Sequence, residues 1–336
     1  MRGKMEPVLR VKDLKTEFFT YTGVVKAVRG IDFSVNPGEA VGIVGESGCG
    51  KTVTGLSIMR LITYPPGKIV SGEVSLDGTD LFKLSESEMR KIRGAKISMI
   101  FQDPMTSLNP ALTIGFQLSE MLILHKNITK EETKKKIIEL LSMVRIKSPE
   151  NVFNQYPHQL SGGMRQRAMI ALALSCEPKI VIADEPTTSV DVTIQAQILN
   201  LLQDLKSRFN SSIILITHNL AIVAGLCSRI IVMYAGLIVE EGNDRQVFDN
   251  PKHPYTWGLL SAVPRVDEQE KERLSTIKGL PPDLMSPPKG CPFAMRCSYA
   301  MKICFEERPP CFNSEEGHRT MCWLLDKRAP RVKRGE

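Results

Sequence analysis

No stretch of this chain reaches the roughly 18 uninterrupted apolar residues that a membrane-spanning helix needs. The richest, AMIALALSC (168–176), ends at Glu177, so the chain is expected not to cross a bilayer by itself. The opening segment MRGKMEPVLRVKDLK lacks the continuous apolar core of a secretory signal, which predicts a protein that stays in the cytosol. Compositional bias is missing too. Hydrophobic residues make up 42% and charged residues 24%, which excludes a collagen-like or extended disordered chain. Charge of one sign is only mildly in excess, 44 basic against 37 acidic residues for a net +7, an ordinary solvated surface that singles out no nucleic-acid partner. Five of the eight residues from Lys327 to Arg334 are basic and are read as a solubilising end. At 336 residues, and roughly 150 per domain, two units of unequal size are expected.

What is present begins with AVGIVGESGCGKTVTGLSIMRL. AVGIV (40–44) reads as a short buried strand, and TVTGLSIMRL (52–61) has helical character. Between them Gly45, Glu46, Ser47, Gly48, Cys49, Gly50, Lys51 and Thr52 fit GxxxxGK[ST] in the strand–loop–helix context the motif demands. Glycines let backbone N–H groups wrap phosphates, and the helix N-terminus adds unpaired donors and a positive dipole end. Lys51 is expected at the β and γ phosphates and the Thr52 hydroxyl at Mg²⁺. Cys49 lies near that helix N-terminus, where a thiol pKa falls, so thiol reagents are expected to inactivate the protein and ATP to protect it.

A second apolar strand, KIVIADEP (179–186), ends in adjacent carboxylates. Asp184 is expected to hold Mg²⁺. Glu185, pointing differently because side chains alternate along a strand, is expected to polarise the water that attacks the γ phosphate. Burying two charges without partners is expensive, which favours a metal and a water over a chance acidic pair.

QLSGGMRQR (159–167), between these strands, resembles the signature motif of the ATP-binding cassette (ABC) ATPases. The resemblance implies that Ser161, Gly162 and Gly163 of one subunit contact the γ phosphate of ATP bound to another. The glutamine usual after the two glycines is Met164 here, which removes one polar contact. Other family positions match in order: Gln102 in IFQDP as the loop glutamine sensing Mg²⁺ and the membrane partner, Ser189 and Asp191 in TSVD as the dimer-contact loop, and His218 in ILITHNL as the switch histidine. Glu185, His218 and Gln102 are thus the catalytic candidates. Phe18 falls at the family's spacing for the aromatic that stacks on adenine, with Phe19 and Tyr21 as alternatives; such stacking is worth roughly 1–3 kcal/mol.

The ends narrow the resemblance to the dipeptide and oligopeptide importer branch, most specifically through NPKHPYTWGLLSAVP (250–264). Nickel and some sugar importers share that branch. The fold implied is α/β: an ABC-type P-loop nucleotide-binding domain over 1–252, with a RecA-like core, an antiparallel β subdomain including VLRVKDL and GEVSLDG, and a helical region over about 104–178. An irregular cysteine-rich extension over 253–336 follows. The partners implied are two membrane-spanning permease subunits, a second ABC ATPase subunit and, indirectly, an extracytoplasmic substrate-binding protein, with the chain at the cytoplasmic face of the membrane. A soluble ABC ATPase without a permease, or a redox-responsive regulatory ATPase, are the readings of a different class.

Five of the eight cysteines, Cys291, Cys297, Cys304, Cys311 and Cys322, crowd the tail, the first at the end of KGLPPDLMSPPKGCP with its five prolines. Disulfides suit secreted domains better than a reducing cytosol. Zinc sites more often use C-x₂₋₄-C pairs, whereas an iron–sulfur cluster needs four thiolates at varied spacing; by spacing alone both stay open. The branch resemblance implies a [4Fe-4S] cluster on Cys291, Cys297, Cys304 and Cys322, at about 286–325, with Zn²⁺ as the alternative metal, Cys311 as a competing ligand and His318 as a candidate ligand for zinc.

Overall fold

Strand β1 (Leu9–Thr20) opens by alternating: Leu9 and Val11 are buried, Arg10 and Lys12 exposed. Asp13 then takes a left-handed φ of 43°, and the buried positions shift phase to Leu14 and Thr16. β2 (Gly23–Val35) pairs with β1. β3 (Ala40–Val44) is buried at all five positions, the pattern of a parallel strand covered on both faces. The remaining strands are β4 (Gly67–Leu76), β5 (Thr79–Asp80), β6 (Ile97–Ile100), β7 (Ile180–Asp184), β8 (Ser212–Thr217), β9 (Arg229–Tyr234), β10 (Leu237–Asn243), β11 (Phe312–Glu315) and β12 (His318–Thr320). The computed structural model describes residues 6–126, 128–188, 191–262 and 277–332. The expected dimer-contact Ser189, the whole charged run VDEQEKERLS (266–275) and the basic residues Lys333 and Arg334 lie outside them.

The chain divides into two compact units. The first comprises Met1–Leu9, Val35–Glu39 and Leu76–Leu215. In it β6 and β7 run parallel, with Ile97 beside Ile180 and Ile100 beside Ala183. Helices Ile114–Lys126, Lys130–Met143 and Gly162–Leu174 fill much of the region expected to be helical. Lys130–Met143 begins with a capping box in which the Thr129 hydroxyl accepts from the Glu132 N–H and the Glu132 carboxylate accepts from the Thr129 N–H. Its buried Thr133, Ile137, Leu140 and Leu141 share one face, with exposed Lys135 opposite, as an amphipathic helix requires.

The second unit comprises Arg10–Ser34, Ala40–Ser75 and Ile216–Glu336. One of its sheets has the order β11-β12-β10-β9-β3. β3 and β9 are parallel, Val41 beside Arg229 and Val44 beside Val232, while β10 runs antiparallel to β9. The tail is as irregular as its prolines imply, with short 3-10 turns, the helix Lys302–Glu306 and two short strands. It nevertheless joins the sheet: β12 pairs with β10, Glu240 beside Thr320 and Glu241 beside Arg319. Glu241 also binds the guanidinium groups of Arg229 and Arg319.

Glu240 fixes the join. Its fully buried carboxylate accepts from the Lys252 N–H at 2.6 Å, the His253 N–H at 3.1 Å and His318 Nε2 at 2.8 Å. The His253 Nδ1 accepts from the Tyr255 N–H at 3.0 Å and so caps the helix Pro254–Ser261. Burial pushes the His253 pKa down to about 4, which keeps that ring a neutral acceptor. Tyr234, Tyr255 and Phe293 pack nearby in tilted and edge-to-face contacts, with centroids 4.6–5.4 Å apart. Glu240→Ala leaves three donors without their acceptor. At roughly 1–3 kcal/mol for each buried unpaired group, urea unfolding should lose about 3 kcal/mol or more. A loss under about 1 kcal/mol rules out this role for Glu240.

Candidate nucleotide-binding site

β3 ends at Val44 and the helix Lys51–Ile58 begins after six intervening residues, so the GxxxxGK[ST] segment is a strand-to-helix loop as expected. Glycine is needed at two of its positions. A Cβ at Gly45 would lie 2.2 Å from the Met233 carbonyl oxygen; one at Gly50 would lie 2.4 Å from that of Ala27, and Gly50 also holds φ at 103°. Lys51 is 5% exposed, and its ammonium donates to the carbonyls of Gly45 at 2.7 Å and Glu46 at 2.9 Å, curling the loop around it. Thr52 faces solvent on the first helical turn, and Ser47 and Gly48 line a small cleft with Pro281, Pro282 and Leu284 of the tail. Phe18 is half-buried, its ring against Gly67, while Phe19 and Tyr21 are exposed.

In the other unit, Asp184 is buried at the end of β7. Glu185 lies outside the strand with φ at 45°, a region costly for a residue with a side chain. Its direction is therefore set by a left-handed turn rather than by the strand alternation expected. Gln102 Nε2 donates to Glu185 Oε2 at 3.1 Å, and the Thr188 hydroxyl donates to the same oxygen at 2.8 Å. Ser161 caps the helix Gly162–Leu174, its hydroxyl accepting from the Met164 N–H, and Gly162 has open space around it. Gln166 of that helix reaches across to donate to the Pro186 carbonyl at 2.6 Å, tying the signature segment to the loop after Glu185. Asp191 caps the helix Val192–Phe209 through the Ile194 N–H at 2.8 Å. His218 is exposed just beyond β8, in the unit that carries the phosphate loop.

Residues 28–188 match the family model described as ABC transporter, and residues 239–304 match the Oligopeptide/dipeptide transporter, C-terminal region. The oligopeptide transport ATP-binding protein OppD of Bacillus subtilis is 54% identical over 97% of this chain and 91% of its own length. The chain belongs to the ABC transporter ATPases. The dipeptide transport ATP-binding protein DppD of the same organism is 52% identical, covering 97% of both chains. Among solved structures, the ATP-binding cassette MJ0796, a dimer bound to ADP and Pi, superposes with a TM-score of 0.63 at 30% identity. That match covers 70% of this chain and 98% of the other. The fold is accordingly the α/β P-loop cassette, and this ABC ATPase binds and hydrolyses ATP with Mg²⁺. Among the described residues no helix is long and apolar enough to cross a membrane.

Four tail thiols of this ABC ATPase act on one another electrostatically: Cys322 senses Cys291, Cys297 and Cys304, and Cys291 senses Cys297 and Cys304. Burial pushes Cys291 up to about 11 and Cys322 up to about 12. Exposed Cys311 instead faces Arg319 and Glu241. His318 is committed to Glu240. Among the described residues, no three His, Cys, Asp or Glu side chains are spaced to hold a metal ion as they stand.

Sequence reasoning missed two side chains that grip the phosphate loop. The Glu46 N–H donates to the Tyr255 hydroxyl at 2.7 Å, and the Glu46 carboxylate takes a two-pronged bond from Arg296 at 2.5 and 2.9 Å. Tyr255 was visible in the HPYTW segment as family pattern; nothing in the sequence near Arg296 pointed to the loop. The lowered Cys49 pKa expected from its helix N-terminus is overturned: the thiol is buried, and desolvation outweighs Lys51 and raises the pKa. In a chain keeping Cys49 as its sole cysteine, labelling by a thiol reagent at pH 7.5 should be slower than at an exposed control thiol and should accelerate with pH. Labelling as fast as the exposed thiol contradicts the burial.

Proposed function

We propose that this ABC ATPase is the energy-supplying subunit of an importer of oligopeptides or dipeptides. What carries the reading is the union, in one chain, of a cassette and a tail matched to the oligopeptide/dipeptide C-terminal region. The full-length similarity to oligopeptide and dipeptide transport proteins supports it, and a nickel or oligosaccharide cargo is the alternative within the branch. The cassette occupies 1–252 and the extension 253–336. Two permease subunits hold the chain at the cytoplasmic face of the membrane, and a second cassette completes each ATP site.

The backbone of Gly45, Glu46, Ser47, Gly48, Cys49 and Gly50, with Lys51, binds the β and γ phosphates. Thr52, Asp184 and Gln102 would hold Mg²⁺, which would neutralise phosphate charge. Glu185 takes the proton of the attacking water. The donors Gln102 and Thr188 share one of its oxygens and fix the carboxylate's direction. His218 contacts the γ phosphate from beyond β8, Phe18 stacks on adenine, and Ser161, Gly162, Gly163 and Asp191 serve the ATP of the opposite subunit. Closure of the two cassettes on ATP drives the permease; hydrolysis reopens them.

Cys291, Cys297, Cys304 and Cys322 would hold a [4Fe-4S] cluster, which supplies cross-links to a tail with little core; Zn²⁺ is the alternative. What supports this donor set is the branch resemblance of the tail; among the described residues these thiols are not spaced to hold a metal ion as they stand.

Two measurements test these assignments. Glu185→Gln should cut ATP turnover on the order of 100-fold or more while retaining ATP and favouring the closed pair; near-normal turnover removes Glu185 from its role. Anaerobically purified protein should be brown, with iron and sulfide lost in each of Cys291→Ser, Cys297→Ser, Cys304→Ser and Cys322→Ser but kept in Cys311→Ser. Zinc without sulfide selects the alternative metal, and neither metal refutes the site.

A further inference from the structure

We propose that Arg296 is a positioning residue of the nucleotide site, setting the phosphate loop through Glu46. Glu46 is the second residue of the loop, and all of its polar groups are engaged within the fold. Its N–H donates to Tyr255, its carbonyl accepts from Lys51, and its carboxylate is gripped by Arg296 from 250 positions downstream. The loop is thus pinned one residue past its departure from β3.

The Arg296 end is a built socket. Its side chain is 4% exposed, against 28% for that of Glu46. The guanidinium has five N–H groups, and each has an acceptor: Nε–H donates to the Lys278 carbonyl at 3.0 Å, one terminal nitrogen to Glu46 and to the Tyr234 hydroxyl at 3.2 Å, and the other to Glu46 and to the Ile277 carbonyl at 3.1 Å. The plane lies 5.7 Å from the Tyr234 ring centre and 5.9 Å from that of Phe293. Lysine can match neither the five-donor fork nor the ring contacts. Bonding to Glu46 raises the Arg296 pKa further.

The arrangement has an electrostatic purpose. A carboxylate inside a loop that binds a triphosphate repels it, and at the intermediate dielectric of a protein surface one uncompensated charge near the phosphates weakens binding by about tenfold. Arg296 cancels that charge, and the two-pronged bond keeps it from swinging toward the phosphates. Because Arg296 immediately precedes Cys297 in the turn Ala294–Arg296, the cysteine segment delivers this group to the nucleotide site. The tail then acts on ATP binding through one residue pair.

This rests on the loop being the phosphate site, and the experiment separates the two readings. Binding of a fluorescent ATP analogue with Mg²⁺ is titrated for the full chain, for Arg296→Met, Glu46→Gln and the double variant, and for Arg296→Lys, with thermal unfolding measured for each. Arg296→Met should bind about tenfold more weakly, the gap narrowing as salt is raised. Glu46→Gln is the reference for the double variant, which should recover most of the affinity that Arg296→Met loses, and Arg296→Lys should fall between Arg296→Met and the parent. If Arg296→Met is too unstable to titrate, Arg296→Lys alone and paired with Glu46→Gln carries the same comparison. Parent-like affinity in a folded Arg296→Met, or no recovery in the double variant, overturns the proposal. Failure of the parent chain to bind the analogue overturns the phosphate-site reading itself, and this inference with it.

Discussion

Backbone crowding at the phosphate loop is the constraint on which the site depends. The loop is pressed so closely against β2 and β9 that the Ala27 and Met233 carbonyls leave no room for a methyl group at Gly50 or Gly45. That approach turns the loop back over the Lys51 ammonium and sets the start of the helix that follows. Close packing also means that displacements on either strand are transmitted to the loop, since packed elements shift in discrete steps. β9 is the strand to which β10, and through it the tail, is attached. The part of the molecule that reads phosphate and the part that looks appended in the sequence therefore share one strand.

Much of this was legible in the residues. The all-apolar AVGIV strand and the IVIA run that leads into Asp184 have the spans their composition implies, because strands covered on both faces leave a continuous apolar run. The helical region expected over about 104–178 was legible as well, in Ile114–Lys126, Lys130–Met143 and Gly162–Leu174. β1 was not: the left-handed Asp13 shifts its alternation by one position, so the facing of Phe18 and Phe19 follows from a backbone detail that periodicity does not encode. The same holds at Glu185, where a turn rather than a pleat sets the carboxylate. Short-range patterns locate elements; the turns between them decide which way the chemical groups face.

Contacts across hundreds of positions were out of reach of a single sequence. Arg296, Glu46 and Tyr255 each look ordinary in their own segment, and their meeting depends on the tail folding back over β9 and β10. Cys49 illustrates the converse. A helix N-terminus lowers a thiol pKa only while the thiolate remains solvated, and burial beneath the loop removes that condition. Local motif chemistry was transferable only where the surroundings were those the motif assumes.

The pairing of β12 with β10 bears on how the chain may be shortened. β10 is almost wholly buried and apolar at Leu237 and Val239, and β12 covers its hydrogen-bonding edge at Glu240 and Glu241. Cutting the chain before the tail would bare that edge and leave a strand ready to pair with neighbouring molecules. The cysteine-bearing tail is thus also the sheet's safeguard against self-association, whatever its thiols bind.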